Sequence, residues 1–356
     1  MQQVNSEQQI NRFDHVKKQI LSFGIPRIII IIFLLSLWII ATFLDIPFPR
    51  LLSDTIVRWG MNGVLVLSMV PSILAGTGLY FGLPIGIICG LVGGLLAIEM
   101  NLVGFPAFLG AIAFSVPLAL LVGGAYGWML NKIKGSEMTV ATYAGFSIVS
   151  LMCIFWAMAP FRSPEMAWPI GRGVRVTISL EGRYARVLNE FLSFDIFGVM
   201  IPTGLILFFI FMCLAVYLFF RSKTGLAIKA GGENPRFAQA TGIDVDKTRI
   251  IGTMLSTVLG AVGILVYAQS FGFIQLYMAP LFMGFLAAAA VLIGGASISR
   301  ATILNVLIGT FLFQGLLVAA LPVANRVATL GSLAEISRII VSNGIILYAL
   351  AQKSGE

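Results

Sequence analysis

The chain has 356 residues, of which 58% are hydrophobic and only 11% charged, with a net charge of +8. A soluble domain is usually about a quarter charged, so these proportions exclude a disordered chain and argue against a soluble globular enzyme. The three cysteines all sit in apolar runs and the one histidine, His15, precedes them, which excludes a disulfide scaffold, a histidine-built metal site and histidine-dependent catalysis at membrane depth.

A bilayer core about 30 Å thick needs about 20 apolar residues as helix. The apolar runs predict an all-α, polytopic membrane fold of about ten transmembrane helices forming a single domain over 27–351. Residues 1–26 precede it as a cytoplasmic tail. Ile10, Phe13, Val16 and Ile20 recur there at helical spacing beside Lys17 and Lys18, predicting an amphipathic helix on the inner membrane surface. No small-residue cleavage site follows the first apolar run, so it reads as a span rather than a signal peptide.

The spans are expected at 27–44, 58–80, 84–100, 104–131, 138–160, 196–220, 249–272, 279–295, 301–321 and 334–351, with a short cytoplasmic tail at 352–356. Pro84 and the stretch 101–106 separate the second to fourth spans, because proline removes a helix donor. Gly86, Gly90 and Gly94 would share one helical face, and Gly123 and Gly127 repeat the spacing. Such faces let two helix backbones approach closely. They suit either a helix that slides along a pathway or a static contact.

Polar residues at membrane depth are costly without partners. Asn62, Gln269, Gln275, Asn305 and Gln314 are candidates for a translocation path, with interhelical contacts as the alternative. Glu99 is the one ionisable group among the polar residues of these runs and falls near a span end. Carboxylates expected at mid-membrane in a proton-coupled carrier are therefore scarce.

The segment 161–195 is expected outside the membrane. It carries Arg162, Arg172, Arg175, Arg183 and Arg186 against Glu165, Glu181, Glu190 and Asp195, with helical character over 181–190. It suits a cap, a docking surface for a soluble partner, or a solvated connection. With both termini cytoplasmic, all eight lysines fall in inner segments, as the positive-inside rule asks. Basic charge is spread over loops on both sides, which gives no support to nucleic-acid binding.

The inner loop 221–248 is too polar to insert. Asn234 is placed to cap a helix with Pro235 at its first position, Arg236 to Thr241 forming its body and Gly242 ending it. A short capped helix between two spans can dock on another protein and pass motion to both.

The run Thr224-Gly225-Leu226-Ala227-Ile228-Lys229-Ala230, then Gly232-Glu233-Asn234-Pro235 and Ala240-Thr241-Gly242-Ile243, resembles the coupling-helix region of ABC importer permeases serving monosaccharides, branched-chain amino acids and nucleosides. Leu292-Ile293-Gly294-Gly295-Ala296-Ser297 resembles the Gly-Gly-small-Ser turn of that branch. The likeness is specific over roughly 215–320.

It implies that Asn234, Pro235, Arg236, Gln239, Ala240, Thr241, Gly242 and Ile243 contact a separate ATPase. A second permease subunit, identical or paralogous, and an extracytoplasmic solute-binding protein complete the implied assembly in a bacterial-type inner membrane. A small polar solute, a monosaccharide in the first instance, would cross; nucleosides or branched-chain amino acids are alternatives. Gly76-Thr77-Gly78-Leu79-Tyr80-Phe81-Gly82 departs from the Ile-Asp-Leu-Ser-Val-Gly-like motif of sugar permeases and half matches the Gly-Leu-Phe-Asn-like motif of nucleoside permeases.

The chain contains no G-x-x-x-x-G-K-[ST] phosphate loop. It is therefore expected to be a transport subunit without catalytic residues, cofactor or metal, with ATP and Mg held by the partner ATPase. The competing class is a self-sufficient secondary transporter, which would show mid-membrane carboxylates or broken helices in both halves. A membrane enzyme would need facing nucleophile and base groups at depth.

Overall fold

A computed structural model describes residues 25–168, 173–327 and 343–344 of the chain. The fold is mostly helical. The expected amphipathic helix of the tail, the tenth span at 334–351 and the tail 352–356 lie outside the described residues, apart from two positions within the tenth span.

The first helix, α1, is Ile25–Phe43. The second, α2, is Phe48–Leu67 and begins ten residues before the expected span at 58–80. Pro47 and Pro49 set that start, because proline suits a cap and the first helical turn. Arg50 and Asp54, which precede the expected span, and Arg58 at its first position thus all belong to the helix. The helix is interrupted at Ser68, whose N–H reaches both Val64 O and Val66 O, and continues as α3, Met69–Leu74. The expected span does not continue to 80: Gly76 and Gly78 adopt φ of 74° and 78°, where a side chain would be strained, and they turn the chain.

The next three spans match their expected places closely, as α4 Leu83–Glu99, α5 Gly104–Lys132 and α6 Glu137–Met158. Between α6 and the following long helix lie strand β1 Thr177–Ser179, the short α7 Val187–Glu190, and the hairpin of β2 Phe194–Ile196 with β3 Val199–Ile201. The helical character expected over 181–190 is confined to α7. Residues 194–201 form a hairpin rather than the start of a span.

Helix α8 is Thr203–Phe219, and α9, Lys223–Glu233, bends 77° away from it. The expected loop 221–248 thus contains two helices, α9 and α10, Pro235–Ala240. Then follow α11 Val245–Phe271, β4 Phe273–Gln275, α12 Met283–Ile293 and α13 Ile303–Val327. At eleven residues α12 is shorter than the expected span 279–295, because Tyr277 at φ 56° and turns through 282 hold the chain out of helix.

Among the described residues, five helical runs are long and apolar enough to cross a membrane, or six if the bent α8–α9 pair is one span; α1, α4 and α12 are shorter apolar helices. The chain is a multi-pass membrane protein.

Helix α11 forms the centre, packed on α5, α4, α2 and α3. Its buried positions alternate small and branched residues around the whole circumference, including Gly252, Ser256, Gly260 and Gly263, as a central helix requires. Helices α5 and α6 are peripheral. Leu121, Trp128, Tyr143, Ile154 and Met158 stand exposed on them, as apolar side chains facing lipid do.

Candidate coupling surface and translocation cleft

The α8–α9 bend rests on a side-chain cap and a glycine. Ser222 Oγ accepts from Gly225 N at 3.2 Å, and a Cβ on Gly225 would lie 2.3 Å from Phe219 O. Helix α9 then lies against α3, where a Cβ on Gly232 would meet Leu74 O at 2.1 Å. Asn234 caps α10 as the sequence predicted: its Oδ1 accepts from Phe237 N at 3.0 Å, with Pro235 at the first helical position. The helix begins at Pro235 as expected and ends one residue early, at Ala240. Gly242 follows at φ 84°, and Asp244 caps α11 through Lys247 N at 3.0 Å.

Ala238 is buried and anchors α10, with its carbonyl accepting from Ile243 N. Asn234, Pro235, Arg236, Gln239, Ala240, Thr241 and Gly242 are exposed, and Ile243 is half-buried. Sequence reasoning missed Phe237, which is 63% exposed on the same short helix. Its place three residues after an asparagine cap and one before the anchoring Ala238 was the available signal. The surface offers one aromatic ring and one guanidinium on a stub held at both ends.

The start of α11 is tied to the α5–α6 turn. Lys134 pairs with Asp246, Arg249 with Glu137, and Asn131 Nδ2 donates to Asp246 O at 2.8 Å.

The opposite end carries the folded segments 161–168 and 173–202. Strand β1 pairs antiparallel with β4, matching Thr177 with Gln275. Glu99 accepts from the backbone N–H groups of Arg162 and Ser163 at 3.1 Å each. Arg183 grips Glu165 in a fork, with Nε at 2.9 Å from Oε2 and Nη2 at 3.0 Å from Oε1, and also reaches Asn101 at 3.0 Å. Hydrogen bonding to Glu165 raises the Arg183 guanidinium above its ordinary value. An open cavity of about 760 Å³ in this cap is lined by Arg175, Glu181, Arg186 and Glu190 among others.

Between the two ends lies a smaller cavity of about 170 Å³. Arg58 and Asn62 of α2, Tyr267 of α11, Leu286 of α12 and Gln314 of α13 line it. The structure thus brings together two of the five predicted path residues, Asn62 and Gln314. Asn62 also donates to Arg58 O of its own helix at 3.0 Å.

The other three lie elsewhere. Gln269 is buried under the cap, bonded to Asn189 Oδ1 at 3.0 Å and Leu188 N at 3.1 Å. Gln275 is exposed in β4. Asn305 holds the turn before α13 through Gly294 O and Thr302 N. Arg58 was missed because the span was expected to begin there; the Pro47-Phe48-Pro49 start signal would have placed it one face into the helix.

Of the glycine stripe, a Cβ on Gly86 would lie 2.6 Å from Thr257 O and one on Gly90 2.4 Å from Ala261 O, so α4 meets α11 backbone to backbone. Gly94 lies under Tyr184 of the cap.

No solved structure matches the chain. It is similar to an autoinducer 2 import system permease protein of Photorhabdus laumondii, 26% identical over 317 residues that cover 84% of this chain and 86% of that protein. A nucleoside ABC transporter permease of Lactococcus lactis is 36% identical over 98 residues, covering 28% of this chain and 31% of that protein. A probable branched-chain amino acid transport permease of Methanocaldococcus jannaschii is 30% identical over 113 residues, or 26% and 35% of the two chains. The chain thus spans about a third of the length of these last two relatives. The family model described as the permease component of branched-chain amino acid transport systems matches residues 56–349, and with that extent covered the chain belongs to this family of ABC transporter permeases.

Proposed function

We propose that the chain is one of two permease subunits of a binding-protein-dependent ABC importer in a bacterial-type inner membrane. It lacks catalysis of its own. Two ATPase subunits, holding ATP and Mg, seat α10 in a cleft, and a solute-binding protein delivers cargo to the cap. About ten spans with both termini cytoplasmic fit the lysine partition. The solute is small and polar, a monosaccharide by the sequence resemblance, with nucleosides and branched-chain amino acids as alternatives.

The observation that carries this reading is α10. A six-residue helix capped by Asn234, anchored by Ala238 and stopped by Gly242 presents Arg236 and Phe237 outward. Nothing in the packing of the described residues needs that exposure. Closure of the ATPases would push α10, and α11 would carry the displacement toward the cap. The solute couples to this only through different affinities for the two states.

The test is purification of the detergent-solubilised protein from its native membrane, with the bound subunits identified. An ATPase and a second membrane subunit at defined stoichiometry are expected. A chain that runs alone would overturn the proposal in favour of a self-sufficient transporter, and ion dependence of uptake would then be sought.

A further inference from the structure

The cavity between α2, α11, α12 and α13 has a charge that the assigned function does not use. Arg58 lies five residues along α2 from Ser53, whose hydroxyl donates to Met200 O of the β2–β3 hairpin at 3.1 Å. At 1.5 Å per residue the guanidinium is rooted about 7.5 Å deeper than that outer contact. An ionisable side chain at such depth is costly unless it faces protein or water and has a role. Arg58 is exposed to the cavity and lines it with Asn62, Gln314 and Tyr267.

Among the described residues, no carboxylate lines the cavity and Arg58 makes no ion pair. Asp54, one turn earlier on the same helix, stands outside the lining. Guanidinium offers donors only, in a planar fork that matches a carboxylate or phosphate. The amides of Asn62 and Gln314 can serve hydroxyls beside it. The polar groups of the site are therefore built around a fixed positive charge to which the described walls supply no counter-ion.

We propose that Arg58 is a specificity-determining residue that receives an anionic oxygen group of the transported solute, a carboxylate or a phosphate. On a monosaccharide scaffold this means a sugar acid or sugar phosphate rather than a neutral sugar. The inference rests on the permease reading above and narrows its solute class. The volume of about 170 Å³ agrees with a small cargo.

The test reads the charge of the cavity without knowing the solute. Asn62→Cys is introduced in the full chain in its native membrane, in a Cys153→Ser background, since Cys89 and Cys213 are buried. The new thiol is reacted with a sulfonate-bearing and a trimethylammonium-bearing methanethiosulfonate. The anionic reagent is expected to react faster by at least about tenfold relative to its rate on a free thiol, with the cationic reagent correspondingly slowed. Arg58→Gln should abolish the preference, and Arg58→Lys should retain it. Ribose, ribonate and ribose 5-phosphate are then offered as protectants. Protection by ribonate alone assigns a carboxylate, and by the phosphate alone a phosphate; protection by ribose as strong as by either overturns the proposal. A reactive thiol whose charge preference ignores Arg58 also overturns it. A thiol that reacts with neither reagent instead overturns the assignment of this cavity to the pathway.

Discussion

Arg249, early in α11, and Glu137, the first residue of α6, form an ion pair whose side chains are only 10% and 16% exposed. The pair joins the helix that follows α10 to the helix that begins on the neighbouring turn. Removing one partner of such a half-dry pair should cost about 2 kcal/mol, between the surface and fully buried limits. Glu137→Gln is expected to lower the thermal midpoint in detergent and to leave ATP hydrolysis running with less uptake. Charge reversal at both positions should restore some of the lost midpoint, and an unchanged midpoint in the single variant would show the pair to be inert.

The α4–α11 contact leaves no room for side chains at two glycines. Gly90→Ala places a methyl against Ala261 O, and Gly86→Ala against Thr257 O. Each should destabilise by about 1–3 kcal/mol through overpacking. Gly124→Ala is the control, because its nearest neighbour, Met254 Sδ, is 3.7 Å away. Folded yield by size-exclusion profile should fall for the first two and hold for the third.

Helix α10 can be weakened in two separable ways. Asn234→Ala removes the cap to Phe237 N and should cost about 1 kcal/mol of helix stability, while Asn234→Asp should not. Phe237→Ala removes a ring that is 63% exposed, so the thermal midpoint should hold while ATPase association weakens. Arg236→Glu combined with Gly242→Pro should abolish association with membrane insertion preserved. Co-purification of normal amounts of ATPase with Asn234→Ala, with Phe237→Ala and with the Arg236→Glu, Gly242→Pro double variant would remove α10 from its proposed role.

The cap is held by directed bonds as well as by the buried side chains of Ile178, Leu180 and Tyr184. Arg183→Ala deletes the fork to Glu165 and the bond to Asn101 together. Protease cleavage within 161–186, added from the cap side of sealed vesicles, should accelerate severalfold, whereas Arg183→Lys should fall between. An unaltered cleavage rate would mean that β1–β4 pairing alone keeps the segment closed.

The long elements were legible where apolar runs ended at strong punctuation. Gly104–Lys132 and Glu137–Met158 came out within two residues of their expected ends. The capped α10 was legible too, since Asn-Pro and Gly242 act locally. What escaped depends on tertiary contact. Hydropathy began α2 at 58 because Arg50, Asp54 and Arg58 lower the local average, although one side of that helix is buried. Helix α9 escaped because its stability comes from packing Gly231 and Gly232 against Thr248 and Leu74, which no window along the chain can sense. Of the five path candidates, amide identity alone could not separate Asn62 and Gln314 from Gln269, which spends its amide on Asn189.

Helix α11 runs unbroken for 27 residues from its Asp244 cap to Gly272, and β4 follows at once to pair with β1. At 1.5 Å per residue it is a rod about 40 Å long. Pivoted at one end, a tilt of about 5° carries the other about 3.5 Å, the span of a hydrogen bond plus a little more. The same rod borders the cavity through Tyr267 and bears the cap through Gln269. A push too small to rearrange any side chain at the Asp244 end is therefore large enough, by leverage alone, to pull a strand pair open at the other.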